Sequence, residues 1–380
     1  MSVALTFTDA EVLRPDGWDD RPVSVTDGLL RDGTGARAVD LSGFRLLPGI
    51  VDLHGDGFER HVAPRRGALR ETRAGLVATE AELAANGITT GYLAQFWSWE
   101  GGLRGPDFAT ALIEAWASLR DSFDTDLRMQ LRLETHMLDD YDRVAALVAE
   151  QRIGYLVFND HLQHERLAEG RRPKQMTGQA LKSGRSPEAH FALMTALHDR
   201  SGEVPETAAA LAHRLSGQGV AIGSHDDADA DERNAWRDRG ARIAEFPESR
   251  AAAVAARAAG EPVILGAPNV VRGASHKGNV SAAELVAEGL CDALASDYHY
   301  PAPRAAALRL AETGVIDLAT AWRLVSEGPA RVMDLADRGR IADGLRADLV
   351  VLDAEDRVAA TFAGGAVTYM RGEAARRIVG

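Results

Sequence analysis

Residues 46–57 read LLPGIVDLHGDG, and this stretch decides the fold. Pro48-Gly49 turns the chain, and the apolar run that follows ends on an imidazole. His54 and Asp56 stand two residues apart, so in an extended strand their side chains leave the same face. Imidazole nitrogen with carboxylate oxygen is a donor mix that suits zinc, manganese or iron at an open catalytic site. Alone, H-x-D serves equally well as a polar strand end. Its meaning comes from the rest of the chain.

Eight short apolar runs recur from here on: GIVDLH (49–54), ITTGYLA (88–94), MQLRLETH (129–136), IGYLVFNDH (153–161), GVAIGSHDD (219–227), RIAEFPES (242–249), PVILGAPN (262–269) and CDALASDY (291–298). Helix-length amphipathic stretches at 70–86, 107–121, 188–200, 204–217, 281–289 and 316–326 alternate with them. Such alternation predicts parallel β/α units, and eight units predict an α/β fold closed as a (β/α)8 TIM barrel. His54, Glu134, His136, Asp160, His161, His225, Asp226 and Asp297 all fall at or just beyond the C-terminal ends of these runs. In a TIM barrel that end is the catalytic face. An ion held there lowers the pKa of a bound water from ~15.7 towards ~7, and a further carboxylate must then move protons. Asp297, at the end of the last run, is the natural candidate.

The flanks read differently. Residues 1–45 and 338–380 hold short alternating stretches separated by turn residues. Neither half can bury a core alone, so the pair predicts a small β-sandwich domain built from both termini beside a barrel at 46–337. Residues 162–187 lack sustained periodicity and read as a loop over the barrel mouth.

With 380 residues, 46% hydrophobic and 26% charged, the chain has the composition of a soluble globular protein. No uncharged apolar run approaches the roughly 20 residues needed to cross a bilayer, and acids near the N-terminus argue against a signal peptide. The expected location is the cytoplasm. The single cysteine, Cys291, excludes an intramolecular disulfide and a thiolate cluster, and reads as a small buried strand residue. A net charge of −13 argues against nucleic acid as a partner and leaves room for a small anionic, phosphorylated substrate in a locally basic pocket. No membrane partner is expected, and a homo-oligomer is compatible with the sequence.

Three basic segments sit at predicted barrel-mouth loops. Arg65 and Arg66 follow the H-x-D pair; Arg171, Arg172, Lys174, Lys182 and Arg185 lie in a stretch without acids; Arg272, His276 and Lys277 stand among glycines after the seventh run. Cationic side chains with glycine amides suit phosphate oxygens. The plain alternative for each segment is a solvated run of charge.

LLPGIVDLHGDG, SEGPARVMDLADRGRIADGLRADLVVLD (326–353) and the Asp297 strand resemble the amidohydrolase superfamily over nearly the whole chain. HGDGFERHVAPR (54–65), AQFWSWEGGLRG (94–105), FNDH (158–161), GSHDDA (223–228), GAPNVVRGASHKGNVSA (266–282) and ASDY (295–298) resemble one of its phosphonate-metabolism branches, the α-D-ribose 1-methylphosphonate 5-triphosphate diphosphatases of the carbon–phosphorus lyase pathway. The resemblance implies a metal-dependent hydrolase that releases pyrophosphate from that triphosphate. It implies one or two divalent ions, zinc first and manganese or iron as alternatives, held by His54, Asp56, Glu134, His161 and His225, with Asp297 as proton shuttle. His136, Asp160, Asp226 and Asp227 are spare donors. His61, Arg65, Arg172, Lys174, Arg272, His276 and Lys277 are the expected substrate contacts. Departures from the family lie in HLQHERLAEGRRPKQMTGQALKSGR (161–185), where the family has a shorter loop, and in DYHYPAP (297–303). The competing enzyme reading is a carbon–nitrogen hydrolase, a deacetylase or cyclic amidase, because the same site polarises an amide carbonyl. A metal-free scaffold is expected to lack His54, Asp56 or Asp297, and all three are present.

Overall fold

The computed structural model describes residues 2–31, 36–65, 71–273 and 280–380. Arg66, His276 and Lys277 therefore lie outside the described residues. All eight predicted runs form strands: Ile50–Gly55, Ile88–Trp97, Asp126–Glu134, Tyr155–Asn159, Ala221–His225, Ile243–Glu245, Val263–Gly266 and Ala293–Ala295. They lie in one sheet in chain order. The pairs for which register is defined run parallel. A parallel bridge between Gly55 and Asp297 joins the first strand to the end of the eighth, as barrel closure requires. Ile50–Gly55 and Ile88–Trp97 are buried at every position, which is how strands covered on both faces read.

The chain divides into two compact units. The first comprises Met1–Leu93, Leu119–Arg128 and Ile264–Gly380. Two further sheets lie within it. One orders Leu29–Arg31, Val23–Thr26, Leu5–Thr8 and Arg37–Asp40; the other orders Ala366–Met370, Val358–Ala363, Leu349–Leu352, Arg45–Pro48, Glu11–Arg14 and Gly17–Asp19. Their apolar faces share a core in which Phe7, Val25 and Leu46 from the N-terminal part meet Leu349, Val351 and Phe362 from the C-terminal part. Phe7 and Phe362 pack edge to face with centroids 5.1 Å apart. The β-sandwich built from both termini is thus present. Arg45–Pro48 passes directly into the first barrel strand at Gly49, where a Cβ would stand 2.3 Å from Thr89 Oγ1. That close approach requires glycine.

The second unit, Ala94–Ser118 and Met129–Val263, corrects one expectation. Residues 162–187 are not a bare loop; they contain the helices His164–Ala168 and Met176–Ser183. Each helix is short and gives only one or two apolar side chains to the core. Leu162, Leu167 and Met176 pack with Trp99 and Met194, and so few anchors leave no visible period in the sequence. Gly184, in the left-handed region at φ 72°, ends the second of these helices.

Among the described residues no helix is long and apolar enough to cross a membrane. Cys291 is a buried thiol two residues before the eighth strand, its Sγ donating to the Ala293 carbonyl at 3.3 Å.

Candidate metal centre

In the first unit the decisive geometry is a junction between two strand ends. The Asp297 amide donates to the His54 carbonyl at 2.8 Å, and the Asp56 amide donates to the Asp297 carbonyl at 2.9 Å. Asp297 does this from the left-handed region, at φ 55°, a conformation that aspartate tolerates better than most residues. The metal-ligating atoms of His54, Asp56 and Asp297 lie within 4.8 Å of one another. His54 is fully buried, while both carboxylates keep partial exposure. Behind them Asp52 accepts from the Ser296 amide at 2.8 Å and from the Ser296 hydroxyl at 2.5 Å. Complete burial raises the Asp52 carboxyl's affinity for a proton, against the opposing pull of the Ser296 bonds. Sequence reasoning passed over this latch, although Asp52 stands two residues before His54 in the same strand. A Cβ at Gly55 would lie 2.6 Å from the Tyr300 ring and 2.9 Å from Asp52 Oδ2, so the junction closes only over glycine.

In the second unit, alternate residues of the third strand face one way: Gln130, Arg132 and Glu134. Glu134, fully buried, pairs with His161 Nδ1 and accepts from the His161 amide and from Trp99 Nε1, both at 3.2 Å. Burial disfavours a charged His161, but the neighbouring Glu134 outweighs it and holds the imidazole's proton above the ordinary range. Arg132 Nη2 lies 2.8 Å from His225 Nε2. Guanidinium has no acceptor, so Nε2 accepts and the ring proton sits on Nδ1. From there it donates to Glu245 Oε1 at 2.8 Å. Burial first, then Arg132, pushes the His225 pKa down to about 4, against Asp226 and Glu245. A neutral imidazole whose second nitrogen is backed by a carboxylate is the form a metal ligand takes. Glu245 is itself fixed by Gln130 Nε2 at 2.6 Å and by the Tyr155 hydroxyl at 3.1 Å. Neither Arg132 nor Glu245 was singled out from the sequence, because a charged residue inside an apolar run gives no sign of what it will meet.

No protein-family model matches the chain. The chain is 32% identical, over 328 residues, to the α-D-ribose 1-methylphosphonate 5-triphosphate diphosphatase of Escherichia coli (strain K12), covering 84% of this chain and 86% of that one. It belongs to that family. Solved structures agree on the fold. The N-acetyl-D-glucosamine-6-phosphate deacetylase of Mycobacterium smegmatis superposes with a TM-score of 0.62 at 17% identity, over 96% of this chain and 100% of that one. An adenosine deaminase from Xanthomonas campestris, with bound zinc, gives 0.55 at 14% identity, over 99% and 96%.

The donors of this diphosphatase-family chain fit a divalent ion by their chemistry. His54 with two carboxylates, the Glu134–His161 pair and the neutral His225 supply nitrogen and oxygen atoms of the kinds such ions select. Asp227 serves differently: it accepts from Ser224 Oγ at 2.8 Å and from buried Arg233 at 3.1 Å. His61 Nε2 is held by Glu82 at 2.5 Å, and Arg65 is exposed. Arg272 ends the helix Ala267–Arg272, its guanidinium 6.0 Å from the centroid of the Tyr298 ring beside Asp297. In the basic stretch, Arg172 pairs with Glu188 at 3.2 Å and Arg171 with Glu169, acids that lie outside it in sequence. Lys174 is exposed, and its amide donates to Gln163 Oε1 at 3.1 Å.

Proposed function

We propose that this protein hydrolyses the 5-triphosphate of α-D-ribose 1-methylphosphonate to the 5-monophosphate and pyrophosphate. Supporting the reading is the likeness, along 84% of the chain, to an enzyme named for that substrate. The first- and last-strand ends add to this one imidazole and two carboxylates within 4.8 Å. His54 and Asp56, with Glu134, His161 and His225, are the residues that would hold one or two divalent ions, zinc first. Such an ion supplies Lewis acidity at a phosphoryl oxygen and makes water a stronger acid. Asp297 takes the proton of the attacking water and returns it to the leaving group, its carboxylate steered by the backbone bonds to His54 and Asp56.

Buried Arg132 and exposed Arg272 supply positive charge for the phosphate oxygens of the substrate and of the departing pyrophosphate. Arg65, Arg172 and Lys174, with His61, His276 and Lys277, complete the proposed substrate contacts. A panel of ribose and nucleoside triphosphates, N-acetyl sugar phosphates and cyclic amides, assayed after metal reconstitution, tests the reading. Turnover confined to triphosphates supports it. Turnover confined to amides replaces it with carbon–nitrogen hydrolysis.

A further inference from the structure

The second unit contains a further group of donors that the proposed reaction does not use. His136 lies on the turn after the third strand, Asp160 directly follows the fourth strand, and His164 opens the helix His164–Ala168. One ligand atom from each falls within 4.8 Å of the other two. His164 Nε2 stands 2.9 Å from Asp160 Oδ2, and His136 Nδ1 stands 3.7 Å from the same oxygen.

Hydrogen bonding around these residues fixes which nitrogens point inward. The Ser201 hydroxyl donates its one proton to the His198 carbonyl at 2.6 Å. It can therefore only accept from His136 Nε2, 3.1 Å away. That places the His136 proton on Nε2 and leaves Nδ1 an acceptor, 3.0 Å from the Thr135 hydroxyl and on the side of the Asp160 carboxylate. His136 is 2% exposed. The other nitrogen of His164, Nδ1, is 2.7 Å from His198 Nδ1, and the two rings stand 5.0 Å apart by centroid. An imidazole presenting one nitrogen inward while a second group holds the other is the arrangement by which proteins orient metal ligands.

We propose that His136 Nδ1, Asp160 Oδ2 and His164 Nε2 form a second site for a divalent transition ion of the zinc class, oriented by Ser201 and His198. Two imidazoles and one carboxylate are a donor set that zinc, cobalt and ferrous iron accept, and three protein ligands leave coordination positions open. An ion there ties the helix His164–Ala168 to the ends of the third and fourth strands. Through His198 and Ser201 it also holds the end of the helix Pro187–Asp199. The site supplies an anchor for the stretch 161–185, which holds the short helices His164–Ala168 and Met176–Ser183.

The test uses full-length protein carrying His54→Ala, so that ions at the catalytic donors are removed from the count. Zinc is titrated against a competing chelator, and the protein is crystallised with zinc for anomalous diffraction. The expected result is about one tightly held zinc per chain, with an anomalous peak bounded by His136, Asp160 and His164. Adding His164→Ala abolishes it, and adding Ser201→Ala weakens it by roughly 10- to 100-fold, the usual effect of losing an orienting partner. If His164→Ala fails to fold by circular dichroism, Asp160→Asn and Ser201→Ala carry the comparison. Unchanged zinc affinity in the folded variants, or an anomalous peak elsewhere, overturns the proposal whatever the protein's substrate proves to be.

Discussion

Asp297 and His54 are joined through their backbones: the Asp297 amide donates to the His54 carbonyl at 2.8 Å, across the bridge that links the first and eighth strands. The proposed proton carrier is thus positioned by the peptide unit of a proposed metal ligand. Any shift of one strand end moves the other.

From this it follows that Asp297→Asn should separate chemistry from binding. Asparagine tolerates the left-handed backbone that Asp297 adopts, so the junction should survive. The expected outcome is retained metal and a kcat at least ~100-fold lower, the scale of losing a positioned acid–base group. Wild-type kcat in the variant would make Asp297 structural, and loss of metal would make it a ligand.

Metal content provides an independent check. His54→Ala and His225→Ala should each lower the stoichiometry measured by elemental analysis, since each removes an imidazole of the kind such ions select. Full occupancy of the catalytic ion in both variants would remove these residues from the ligand set.

How much of this was legible in the sequence depends on which residues carry it. The barrel was readable because eight short apolar runs alternate with amphipathic helices, and because Pro48-Gly49 marks where the terminal sheet turns into the first strand. His54, Asp56 and Asp297 were visible because polar residues stand out at the ends of apolar runs. Glu245, Arg132 and the Asp52–Ser296 latch were not, since their roles depend on contacts across strands. Nor did spacing reveal the short helices within 162–187, whose few buried side chains are supported by tertiary contacts alone.

Anion recognition should depend on the residues around the last two strands. Arg272→Ala is expected to raise KM for the triphosphate by about tenfold, roughly the loss of one charge-assisted hydrogen bond, and to change kcat less. Raising the ionic strength should weaken inhibition by pyrophosphate, because exposed charges are screened over ~8 to 10 Å. An equal effect of the variant on a neutral amide substrate would remove Arg272 from phosphate binding.

Stability should respond to acid through Asp126. Burial favours its neutral form, yet bonds from Arg128 at 2.8 Å and Arg338 at 2.6 Å hold its carboxyl below the ordinary value of 3.8. A depressed carboxyl stabilises the folded state above its unfolded pKa, and that contribution fades as pH falls through the folded value. Asp126→Asn should therefore cost about 1–3 kcal/mol at pH 7, and the gap from wild type should narrow below about pH 4. Denaturant midpoints at pH 7 and pH 3 check this; an equal gap at both would show that ionisation of Asp126 does not contribute.

The central claim is hydrolysis of a phosphoanhydride, and phosphorus NMR tests it most directly. Metal-loaded protein is incubated with α-D-ribose 1-methylphosphonate 5-triphosphate, with Asp297→Asn as control. The account predicts pyrophosphate and the ribose 5-monophosphate in equal amounts, formed by the wild type and barely by the variant. An unchanged triphosphate spectrum, from a preparation that turns over an N-acetyl sugar phosphate or a cyclic amide, would contradict it.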